Sequence, residues 1–149
     1  MPAERLGKVW FEIVREPWNE YIIKDKEDVI LNGRLVVTKL SKLQDPDTGK
    51  PGIRMASQSI FVTYAPASLR DNPSETLPGP GEIPDEKKER LEVKIIKEDW
   101  NVYRLPEEKV TFKARLIVGE VFRVADRFAP DGDPYYIVES TGIVELRKD

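Results

Sequence analysis

Apolar and polar side chains alternate along most of this chain with a period of two. Val9, Phe11 and Ile13 alternate with Trp10 and Glu12, and Leu91, Val93 and Ile95 with Glu92 and Lys94. Two longer runs continue the pattern: Val29, Leu31, Gly33, Leu35, Val37, and Val110, Phe112, Ala114, Leu116, Val118. Each reads as the inward face of a long strand. Gly33 inside such a face predicts a bulge or a close backbone approach. Returning strands are predicted over residues 54–64 and 135–145, after turns rich in Asp, Pro and Gly at 45–52 and 129–134. No segment sustains a 3.6-residue period, so the chain is expected to be all-β.

The pattern also repeats. Residues 11–21 align with 93–103; with Asp28 as a one-residue insertion, 29–43 align with 110–124, and 56–64 with 138–146. Identities include Trp18/Trp100, Asn19/Asn101, Tyr21/Tyr103, Arg34/Arg115, Leu35/Leu116 and Val37/Val118. The expected architecture is an internally duplicated, pseudo-twofold antiparallel β-barrel or sandwich. Residues 1–64 form the first repeat, 65–90 a Pro-rich connecting arm and 91–149 the second repeat, with the halves packed as one unit. Five prolines, at 66, 73, 78, 80 and 84, make the arm stiff and extended in the polyproline II manner, and Asp85 is placed to cap a short helical turn.

Composition narrows the chemistry. The 149 residues include 24 Lys+Arg and 27 Asp+Glu but no His and no Cys. Thiol and imidazole nucleophiles, disulfides and ordinary zinc or haem sites are thereby excluded. Carboxylates would have to carry any catalysis. Only Glu120 falls in an apolar stretch where its pKa would rise, so the chain is expected not to be an enzyme and to need no cofactor. Few Asn, Gln and Met beside abundant Lys, Glu and Arg lean toward a thermostable protein. No apolar run approaches a membrane span, and residues 1–6 lack the apolar core of a signal peptide. The chain is therefore read as unprocessed: cytoplasmic, or part of a virion if viral.

Three constellations merit a functional reading. Trp18-Asn19-x-Tyr21 and Trp100-Asn101-x-Tyr103 suggest stacking platforms, but more readily aromatics that pack a barrel end, with Tyr and Asn satisfying turn backbone. Asp45-x-Asp47-x-Gly49 and Asp131-Gly132-Asp133 resemble fragments of calcium loops but lack the later ligands, so no metal site is assigned. Arg34, Lys113, Arg115 and Arg123 form the basic stripe a single-strand nucleic-acid barrel would use, yet acidic residues balance them and the net charge is −3.

The outward face of the long strands is not cleanly polar. Val36, Leu40, Ile117 and Val121 fall on it, and Trp10 opposes the Val9-Phe11-Ile13 face. An antiparallel sheet wet on one side alternates more strictly. The face is thus expected to be covered, by the arm through Pro78 and Pro80 or by another subunit. The leading expectation is a structural protein that self-associates or clamps the subunits of a larger assembly, such as a capsid decoration protein. The alternative is a single-stranded nucleic-acid-binding barrel. Finally, Lys39 and Glu120 fall at equivalent inward positions, where opposite charges would meet across the two halves unless a bulge near Gly119 turns them out.

Overall fold

The computed structural model describes residues 4–149, with side chains from Gly7 onward. The reading of the amino terminus rests partly on Met1, Pro2 and Ala3, which lie outside the described residues. Strands run in the order β1 (Glu4–Val9), β2 (Glu12–Arg15), β3 (Asn19–Lys24), β4 (Asp28–Gln44), β5 (Pro51–Tyr64), β6 (Lys88–Lys97), β7 (Asn101–Leu105), β8 (Val110–Phe128) and β9 (Pro134–Lys148). There is no α-helix among the described residues, and none long and apolar enough to cross a membrane.

The nine strands form one antiparallel sheet ordered β1-β4-β3-β6-β8-β7-β2, with β5 also on β4 and β9 also on β8. The all-β expectation holds, but the sheet is not closed into a barrel, one of the two forms expected from sequence. The ladder path ends at β1 on one side and β2 on the other, and β5 and β9 each pair with a single neighbour.

The long strands organise everything else. On one edge of β4, β3 pairs with residues 28–33 and β1 with residues 40–44; β5 runs along the other edge. β8 is flanked in the same way by β7 at residues 110–114, β6 at 121–124 and β9 on its far edge. The connections cross over. After β1 leaves β4, Trp10 and Phe11 carry the chain to β2, which pairs with β7; β6 starts on β8 and finishes on β3.

Bulges decide which side chains point inward. The β4–β5 register shifts between Val37 and Lys39, and the β8–β9 register between Val118 and Val121. A one-residue slip inverts the alternation beyond it. Leu40 and Val121, expected on the outward face, are therefore fully buried core residues. The same bulges keep Lys39 and Glu120 from meeting: Glu120 is exposed and lies 3.6 Å from Arg90. Gly33 proves to be a close approach rather than a bulge. It sits opposite Phe61 in an unbroken ladder, and a Cβ there would lie 2.9 Å from the Phe61 ring and 3.0 Å from Leu116 Cδ2.

The core draws on both ends of the chain. One cluster joins Val9, Leu35, Val37 and Leu40 to Tyr103, Leu105, Phe112, Ala114 and Leu116; a second joins Tyr21, Ile23, Val29 and Leu31 to Leu91 and Val121. The segment between β5 and β6 is docked, not free. It carries three 3-10 turns, Ala67–Leu69, Pro80–Glu82 and Asp85–Lys87, and its Pro66, Gly79 and Pro84 hold polyproline II angles. Asp85 opens its turn without capping it by a side-chain hydrogen bond. Leu69 enters the second cluster, and Ile83 packs with Val124, Ile137, Phe122 and Tyr135. The segment thus covers the far end of β8 and β9. Trp10 stays 65% exposed.

Candidate functional site

Between β3 and β1, the edge of β4 has no neighbouring strand, and the backbone groups there need other partners. Side chains supply them. Asn101 Nδ2 donates to the Leu35 carbonyl at 2.7 Å, and the Val37 N–H donates to Glu16 Oε2 at 3.3 Å. Glu16 Oε2 also accepts from Tyr103 Oη at 2.7 Å, and Oε1 lies 3.4 Å from Arg34 Nη2. The Arg34 guanidinium stands 5.7 Å from the centre of the Trp18 ring. A carboxylate that is 95% buried, taking one neutral hydroxyl, one amide and one guanidinium, is well satisfied.

A second centre lies at the matching gap of β8. Tyr21 Oη donates to Glu98 Oε2 at 2.9 Å, Arg115 Nε lies 3.8 Å from Glu98 Oε1, and the Arg115 guanidinium stands 5.2 Å from the Trp100 ring. Asn19 Oδ1 accepts the Asp99 N–H at 2.9 Å. Here the correspondence fails for a covalent reason. The residue aligned with Asp99 is Pro17, which has no N–H, and Asn101 Oδ1 is left without a donor. Burial, followed by the hydrogen bonds to Glu98 and Glu16, pushes the Tyr21 and Tyr103 hydroxyls up, so both stay neutral donors.

A third polar centre surrounds Asp25. Arg123 Nη1 reaches its two oxygens at 3.1 and 3.0 Å, Tyr136 Oη donates at 2.7 Å, and the Lys26 N–H at 2.8 Å. Burial works against this charge. The bonds from Tyr136 and Lys26 and the Arg123 charge outweigh it and hold the carboxyl below the usual range. The counterpart on the other long strand is Lys42, 2.6 Å from Glu108. A fourth carboxylate, Asp133, is fully buried and accepts from Thr63 Oγ1 at 2.8 Å, the Ala65 N–H at 3.2 Å and Arg70 Nε at 2.8 Å.

The sequence-derived candidates fall into place as follows. The Tyr hydroxyls serve carboxylates, not turn backbone, while the Asn amides do serve backbone, across the two halves. Arg34, Arg115 and Arg123 are each set against a carboxylate, and Lys113 faces Glu145 on β9. They form no open basic stripe. Asp45 bonds the Asp47 and Thr48 N–H groups within its own turn, and among the described residues no acidic cluster is arranged to hold a metal ion. Val36 and Ile117 are half-buried, Pro78 accepts from Tyr135 Oη at 3.0 Å through its carbonyl, and Pro80 is exposed.

Glu16 and Glu98 were not singled out from the sequence. The signal was present, since both precede the Trp-Asn pair by two residues, but nothing in the local pattern says that each reaches a tyrosine from the opposite half. Comparison with protein-family models, with curated proteins and with solved structures finds no match to this chain.

Proposed function

We propose that this chain is a non-catalytic structural or assembly protein: a duplicated, rigid β module that self-associates or clamps the subunits of a larger assembly, as a capsid decoration protein does. The observation that carries this reading is the apolar surface left outside. Ile30, Ile60, Val62 and Tyr64 are 36–53% exposed and lie on one face of the β4–β5 ladder, in line with Ile22 of β3. On other strands Ile13, Val14, Ile95 and Ile96 are 47–58% exposed. Exposed apolar rows of this length mark interaction surfaces in soluble proteins. Arg34, Arg115 and Arg123 are meanwhile each committed to a carboxylate.

Duplication is supported by equivalent pairings. Val9 faces Leu40 as Leu91 faces Val121, and Ile13 faces Tyr103 as Ile95 faces Tyr21. The return strands are offset by one residue from the sequence alignment: Ile60 faces Arg34, and Ile143, rather than Gly142, faces Arg115. The single-strand nucleic-acid reading draws less support, because its arginines are paired. Light scattering across a concentration series tests the proposal. An oligomer is expected; a monomer throughout, together with salt-sensitive oligonucleotide binding, would replace it with the alternative.

A further inference from the structure

The strand edges of this sheet differ sharply in chemistry. The β9 edge carries Glu139, Glu145, Arg147 and Lys148, and β2 carries Glu12 and Arg15. Such charges blunt an edge against pairing with another chain. β5 has no such protection. From Met55 to Leu69 there is no charged residue, in a chain that is 34% charged overall. The stretch of β5 from Met55 to Tyr64 contains no Pro, and among the described residues its only ladder partner is β4. Ten residues at about 3.3 Å each present some 33 Å of unpaired backbone. The face beside this edge carries Ile60, Val62 and Tyr64.

We propose that the free edge of β5 is the self-association site, pairing antiparallel with β5 of a second copy to continue one sheet through both molecules. The inference rests on the assembly reading above and names its surface. A two-fold axis sets a strand against its own sequence reversed, and any charge near the axis meets its own sign. A neutral strand meets itself without that penalty in every register, which selects a second copy as the occupant. Pairing also brings together the two rows of Ile60, Val62 and Tyr64 on one side of the joined sheet, so backbone hydrogen bonds and apolar burial favour the same contact.

The test is light scattering of the full chain beside an Ile60→Lys, Val62→Lys variant and a control, Glu139→Lys, on the exposed β9 edge. Both altered β5 side chains are exposed, outside the core clusters. The expected result is a wild-type dimer, a β5 variant whose dimer dissociation constant rises at least tenfold, and a control unchanged. A wild-type oligomer indifferent to the β5 lysines overturns this site while leaving the assembly reading intact; open-ended aggregation of the wild type does the same. A wild type that stays monomeric overturns this site and the self-association half of the assembly reading; salt-sensitive oligonucleotide binding by that monomer overturns the other half. If the β5 variant fails to fold, hydrogen exchange of the wild type decides: amides of 56–64 gain protection with concentration if β5 is the interface, and an oligomer without that gain refutes it.

Discussion

Glu16 and Gly33 show how much single positions hold in place. Truncating Glu16 removes the acceptor for Tyr103 Oη, the Val37 N–H and Arg34 at once. Glu16→Ala is expected to cost about 3–5 kcal/mol, the range for breaking a buried charged pair, read from urea unfolding. Glu98→Ala costs less, since Glu98 holds only Tyr21 and a more distant Arg115. The reverse order would contradict this account of the gap in β4. Gly33→Ala pushes a methyl group against Phe61 and Leu116 and is expected to destabilise by about 1–3 kcal/mol. Phe61→Leu in the same chain should recover part of that loss, visible as non-additivity. Lys39 and Glu120 make the opposite case. Because bulges separate them, the effects of Lys39→Met and Glu120→Met on thermal unfolding should simply add.

Asp133 fastens one element to another. It ties the end of β5 and Arg70 to the turn before β9, where the Asp71 N–H also donates to the Gly132 carbonyl at 3.0 Å. Gly132 has φ of +89°, and a Cβ there would lie 3.0 Å from the Asp71 carbonyl oxygen, so the turn needs glycine twice over. Asp133→Ala is expected to cost about 3 kcal/mol, in line with losing hydrogen bonds to a charged group. It should also raise limited proteolysis within 66–87 well before the strands are cut; an unchanged cleavage pattern would mean the segment is held by Leu69 and Ile83 alone. At this scale the strands were legible in sequence, because Val29 to Val37 and Val110 to Val118 alternate without interruption. What lay beyond reach was the consequence of the bulges. Gly119 does mark a bulge in sequence, and the register shifts there, but nothing local marks Thr38. The inversion that follows each bulge goes unread, so Leu40 and Val121 were placed on the wrong face. The pairing of β2 with β7 and β6 with β3 was equally hidden, since alternation marks a strand but not its neighbour.

For the molecule as a whole, pH acts at the two extremes. With no His and no Cys, no side chain ordinarily titrates between about pH 5 and 8, and stability should be flat there. Asp25 has a lowered pKa, so its contribution is full above about pH 4 and fades as pH falls through the native value. Arg123→Ala should therefore flatten the acid limb of thermal melts. Tyr21, Tyr103 and Tyr136 have raised values, and their contribution is full below about pH 10 and lost as pH climbs past it. The crossing of β2 onto β7 and of β6 onto β3 reaches further than stability. Glu16 and Tyr103 are 87 residues apart in sequence, so neither end of the chain completes its structure until the other is made and threaded beside it. Such topology folds on the slow, millisecond-to-second side of small proteins. A chain severed between Leu77 and Pro78 becomes two complementary pieces, each lacking the strand that would finish its own sheet. Neither should fold alone, and mixing them should restore the native circular dichroism at a rate set by the concentration of both.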